Sequence, residues 1–210
     1  MKNVLILGAT GTTGIALTQK LLTNTDCYLT LFSRHASEIY INTDRVSVFN
    51  GDAENLEELK HAMLKQDVVY CAISGDALPN IAKNIVLAMN ETVIKRLIFM
   101  GAVGIYNEIP DEIDKDDNLD NEPAQIPNRK AVDIIEESNL NYTILRPGYL
   151  KTECSDDFVL TFKGEPAKGF TTSLSSLVEL AVELILNDSL YSRKSVSITH
   201  DATALNNISR

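Results

Sequence analysis

Behind the short apolar run NVLIL stands GATGTTG, with glycines at positions 8, 11 and 14. A strand buried on both faces that turns at once into a helix needs residues that accept positive φ and allow close backbone approach. Glycine does both. The helix expected at 12–23 carries Ile15, Leu17, Leu21 and Leu22 at helical spacing. Its first turn presents unpaired backbone N–H groups and the positive end of the helix dipole. Phosphates bind at such ends. Gly8, Thr10, Gly11, Thr12, Thr13 and Gly14 are therefore candidate contacts for a dinucleotide pyrophosphate, the threonines adding hydroxyl donors.

The rest of the chain alternates strand and helix. Apolar runs predict strands at 27–34, 45–52, 67–74, 94–103, 141–148 and 194–200. Amphipathic spacing predicts helices at 53–65, 78–91, 127–139 and 173–188, and one helical turn within 36–42. Pro79 suits the first turn of its helix. Short connections between these elements imply an α/β fold of Rossmann type: a doubly wound, mostly parallel sheet with helices on both faces. We expect a single domain over residues 1–210, with a small C-terminal substrate region at about 104–122 and 147–172. The acid-rich stretch DEIDKDDNLDNE (111–122) reads as a solvated loop.

Composition narrows the function classes. The net charge is −10 and no Lys/Arg cluster occurs along the chain, which argues against nucleic acid as a partner. No apolar run approaches the roughly 20 residues that cross a bilayer. The chain enters its first strand without a signal-peptide pattern, so a cytoplasmic location is expected, with no membrane partner. Cys27, Cys71 and Cys154 are widely spaced and odd in number, as for reduced thiols. His35, His61 and His200 are scattered singly, and no metal site is expected. A homodimer is left open.

The ends of the later strands continue the argument. An NAD-binding domain usually carries an acid at the end of its second strand, gripping the ribose 2′-OH. Here that strand ends in Ser33 and Arg34. A guanidinium holds a 2′-phosphate through charge-assisted bonds, so the sequence favours NADP(H) over NAD(H). Asp52 and Ala53 follow the third strand, where an acid can accept from an adenine amino group. Ala72, Ile73, Ser74 and Gly75 close the fourth with mostly small side chains, where a cofactor ribose would lie. All fall on the carboxyl edge of the sheet, where open α/β sheets bind ligands.

With these residues the chain resembles the atypical short-chain dehydrogenase/reductases, specifically the NmrA-like NAD(P)-binding family. The resemblance rests on GATGTTG (8–14), FSR (32–34), GD (51–52), AISG (72–75) and the block from Lys130 to Gly148 ending in TILRPG. It implies that Lys130 binds the nicotinamide ribose and that Pro147 lies by the nicotinamide. Larger relatives use a Ser and a Tyr-x-x-x-Lys pair to protonate a carbonyl. Here Ile126 stands four residues before Lys130, and FMGAV (99–103) has no hydroxyl. Tyr106, or Tyr149, is the nearest replacement acid.

An acceptor that takes its proton from water, such as a flavin or quinone, needs no such acid. Three readings follow. The first is an oxidoreductase passing a hydride from NADPH to a small acceptor. The second is a non-catalytic NADP(H) sensor acting through a protein partner. The third and weakest is a nucleotide-sugar epimerase or dehydratase.

Overall fold

A computed structural model describes residues 1–41, 43–152 and 157–202. In chain order the elements are β1 (Asn3–Leu7), α1 (Thr12–Asn24), β2 (Tyr28–Ser33), β3 (Val46–Asn50), α2 (Leu56–Met63), β4 (Val68–Cys71), α3 (Leu78–Thr92), β5 (Arg96–Met100), the one-turn α4 (Asp111–Asp114), α5 (Ile126–Glu136), β6 (Asn141–Pro147), β7 (Tyr149–Lys151), β8 (Val159–Phe162), β9 (Thr171–Ser173), α6 (Leu174–Leu186) and β10 (Lys194–Thr199).

The main sheet has eight strands in the order β3-β2-β1-β4-β5-β6-β10-β8. All its neighbours run parallel except β8, which lies antiparallel to β10. The expected Rossmann-type doubly wound fold is thus present. Val4 to Leu7 are completely buried, as a central parallel strand requires. Leu5 and Leu7 pack with α2, α3 and α5 on one face; Val4 and Ile6 pack with α1 and α6 on the other. The strand order reverses between β1 and β4, and the carboxyl edge opens there.

Two features go beyond the sequence reading. Within the expected substrate region at 147–172, β8 is the edge strand of the main sheet, while β7 and β9 pair as a small parallel ribbon. Residues 153–156, including Cys154, lie outside the described residues. The acid-rich stretch is not a free solvated loop. Asn118 is buried within it and exchanges two hydrogen bonds with the backbone of Ile109, and Leu119 N–H donates to Gly104 O. A neutral amide amid the acids anchors the segment to the turn after β5. Among the described residues no helix is long and apolar enough to cross a membrane.

Candidate functional site

The glycine turn is built by close contacts. Gly8 has φ +84°, and its N–H and that of Ala9 both donate to Phe32 O. A Cβ on Gly14 would lie 2.8 Å from Ala9 Cα, so only glycine lets α1 start this close to β1. Gly11 is the residue before the helix, and no side chain caps α1. Its terminal N–H groups therefore face the carboxyl edge with the positive helix dipole behind them.

Beside this turn is a cleft of about 290 Å³. It is lined by Gly8, Thr10, Gly11, Ser33, Arg34, Asp52, Ala53, Ala72, Ile73, Ser74 and Gly75, all singled out from sequence. Phe32, His35, Gly51, Glu54, Asp76, Ala77 and Ile81 complete it. Most of these adjoin residues the strand-end argument named; Ile81 was visible only as one turn beyond Ala77 on α3.

Each wall is held from behind. Ser33 Oγ accepts from His35 N–H, and Ser37 N–H donates to Asn50 Oδ1, which fixes the turn carrying Arg34. Asp52 Oδ1 accepts from Glu54 N–H, and Asn84 Nδ2 donates to the carbonyls of Ala53 and Glu54. Gly51 passes over the Phe32 ring, which stacks on Phe49 at 5.5 Å. Arg34 is exposed at the rim and makes no ion pair among the described residues. Under the cleft, burial pushes the Cys71 thiol up to about 12, partly countered by the Ile73 N–H.

The remaining sequence candidates lie elsewhere. Thr12, Thr13 and Gly14 sit in the first turn of α1 behind the cleft lining; Thr13 is buried next to the Tyr70 phenol. Lys130 is exposed on α5, one turn after the exposed Ile126. Pro147 ends β6, beyond the lined cleft, and Gly148 passes tightly against the Phe170 backbone.

Tyr106 is not among the residues that line the cleft. Its phenol donates to Glu136 Oε1 at 2.8 Å, near the end of α5. Arg129, Lys163 and Arg146 sit 4.5, 4.6 and 4.8 Å from its ring centroid. Burial raises the phenol above the usual tyrosine range. Arg146, fully buried, pairs with Glu108 at 2.6 Å and so ties β6 to the segment after β5.

Residues 8–188 match the family model described as NAD(P)H-binding. The chain belongs to this family. A Rossmann-fold NAD(P)-binding family protein from Shigella flexneri is 33% identical, with 96% of this chain and 95% of that one covered and a TM-score of 0.83. A short-chain dehydrogenase/reductase from Veillonella parvula, solved in complex with NADP, is 29% identical over 96% of each chain, with a TM-score of 0.86. An anaerobilin reductase from Escherichia coli shares the fold at 19% identity, with 95% of this chain and 97% of that one covered and a TM-score of 0.80. No curated protein matches by sequence. The family, the glycine turn and the cleft agree, and the resemblance to atypical short-chain dehydrogenase/reductases stands.

Proposed function

We propose that this protein is an NADPH-dependent reductase of a small flavin- or quinone-like acceptor. The observation that carries the cofactor choice is the Arg34 guanidinium just after β2, on the rim of the cleft and without an ion pair among the described residues. It suits a 2′-phosphate, where a carboxylate would repel one. The uncapped N-terminus of α1 and the glycine backbone take the pyrophosphate. Asp52 meets the adenine amino group, and Ser74 and Gly75 flank the ribose.

NADPH held there would supply a hydride, by which the acceptor gains two electrons. Lys130 orients the nicotinamide ribose from α5. Ile126, one turn away, has no proton to give. The proton that balances the hydride therefore comes from solvent, which flavins and quinones allow and secondary-alcohol products do not favour. A reductase built on this fold has precedent in the anaerobilin reductase.

The test is a fluorescence titration with NADPH and NADH side by side, on the native protein and on Arg34→Ala. The variant is expected to lose NADPH affinity by about 10- to 150-fold, the worth of a charge-assisted contact of about 1.5–3 kcal/mol, and to keep its NADH affinity. Equal losses for both cofactors would refute the 2′-phosphate contact. NADPH oxidation with FMN or a quinone then separates reductase from sensor: tight binding with no turnover would make the protein a reader of NADP(H).

A further inference from the structure

The charges that line the cofactor cleft do not balance for a cofactor with a 2′-phosphate. One permanent cation, Arg34, stands against three carboxylates: Asp52 and Glu54 from the turn after β3, and Asp76 from the turn after β4. A phosphate monoester brings about −1.5 to −2 of charge near neutral pH, in addition to that of the pyrophosphate. The uncapped start of α1 serves the pyrophosphate, which leaves Arg34 as the fixed positive charge for the monoester. The lining has one further ionisable side chain, His35, next in the chain after Arg34.

The turn that carries both residues is fixed. His35 N–H donates to Ser33 Oγ, and Ser37 N–H donates to Asn50 Oδ1. The imidazole is exposed. Its Nδ1 stands 3.7 Å from Glu38 Oε1 in the helical turn that follows, and no partner bonds Nε2 among the described residues. The charged groups around it are therefore Arg34 beside it, Glu38 in the next turn, and Asp52, Glu54 and Asp76 in the cleft lining. An imidazole changes charge between about pH 5 and 8, and once protonated it donates from both nitrogens.

We infer that His35 is a second contact for the 2′-phosphate, engaged as the imidazolium, so that the preference for NADP(H) over NAD(H) depends on pH. The inference rests on the cofactor reading above and deepens it. The imidazolium donates from Nε2 to a phosphate oxygen and adds the charge that the lining lacks. NADP(H) then binds with uptake of a proton, and its advantage over NAD(H) grows as pH falls through the imidazole range. Both partners lie at the rim in contact with water, so screening keeps the gain to about three- to tenfold.

The probes are NADP⁺ and NAD⁺, titrated by calorimetry at constant ionic strength between about pH 6 and 8 on native protein, His35→Gln and His35→Lys. The monoester itself loses charge near pH 6, which acts on native protein and variants alike and cancels between them. At the upper pH, native protein and His35→Gln are expected to prefer NADP⁺ equally, within about twofold. At the lower pH the native preference is expected to exceed that of His35→Gln by about three- to tenfold. His35→Lys, whose charge is fixed, is expected to exceed both at the upper pH by a similar factor. A histidine that only shapes the turn would change both cofactors together and at every pH. Coincident native and His35→Gln profiles overturn the inference. Arg34→Ala tells that failure from failure of the cofactor reading. If it removes the NADP⁺ preference while the two profiles coincide, Arg34 holds the phosphate alone; if it leaves the preference intact, the cofactor reading falls and the inference with it.

Discussion

At the amino edge of the sheet the C-terminal ends of α1, α5 and α6 meet cations, whereas at the carboxyl edge the first helix begins with no side-chain cap. Arg45 donates to the carbonyls of Leu22 and Thr25 at the end of α1. Arg96 donates to Leu184 O and Leu190 O, and Lys2 to Ile185 O, at the end of α6. Arg193 does the same just past α5. These contacts satisfy terminal carbonyls and oppose the negative dipole end. At the other edge Asn55 caps α2 and Ser173 caps α6, whereas α1, α3 and α5 begin without a side-chain cap among the described residues, and α3 and α5 carry a proline in their first turn that removes one of the donors. The protein completes the hydrogen bonding of these three helix ends with its own side chains and leaves the first donors of α1 facing the cleft. On the proposed reading, stability and cofactor binding are thereby separated in space.

That separation is open to test by substitution, and the largest effect is expected at the amino edge. Arg96 is buried, and burial lowers its guanidinium to about 10. Arg96→Met keeps most of the volume but strands the Leu184 and Leu190 carbonyls and the Thr143 hydroxyl. A loss of about 3 kcal/mol in urea unfolding is expected, with NADPH affinity unchanged in the protein that remains folded. A large loss of NADPH affinity would mean the two edges are coupled after all.

Two glycines divide the carboxyl edge in the same way. A Cβ at Gly14 meets backbone and forces the α1 start away from β1; Gly14→Ala is expected to cost about 2 kcal/mol of stability and to lose NADPH as well. Gly11 has an ordinary extended backbone, φ −78°, and its nearest neighbour would be 3.4 Å from a new Cβ. Gly11→Ala should therefore unfold like the native protein while binding NADPH about tenfold or more weakly, because the methyl occupies the line of approach to the backbone donors. Matching denaturation curves with unequal titrations would sharpen the comparison; equal titrations would remove Gly11 from the site.

Much of the fold was legible because its signals are local. Val4 to Leu7 and the amphipathic spacing of Leu56, Leu59 and Met63 read directly as buried strand and half-buried helix. What escaped is set by distant partners. β8 has four residues, and β7 and β9 three each, too short for a period to show. Their pairing depends on β10 and on the tight passage at Gly148. The cleft was legible since it is made of strand ends, whose order follows from the α/β pattern. The partners of Tyr106 were not legible either: it follows β5 in the chain, but Glu136 and three cations from distant elements surround its ring.

The smallest effects are expected where the usual proton donor is missing. Ile126 is exposed and packs little, so Ile126→Ala should change quinone turnover by no more than about twofold and stability by about 0.5 kcal/mol or less. A collapse in rate would show that it shapes the acceptor site. Tyr106→Phe asks the complementary question. The ring stays over its cations, while Glu136 loses the phenol but keeps Lys163. About 1 kcal/mol of stability should go, the net worth of one hydrogen bond to a charged partner in a half-buried setting. Steady-state turnover with FMN or a quinone should hold within about twofold, with an unchanged pH profile, because the phenol is engaged by Glu136 and burial holds its proton tightly. If the rate instead falls about 100-fold or more with NADPH binding intact, the range of a lost general acid, then the proton comes from Tyr106 and the segment after β5 must swing toward the cofactor during turnover.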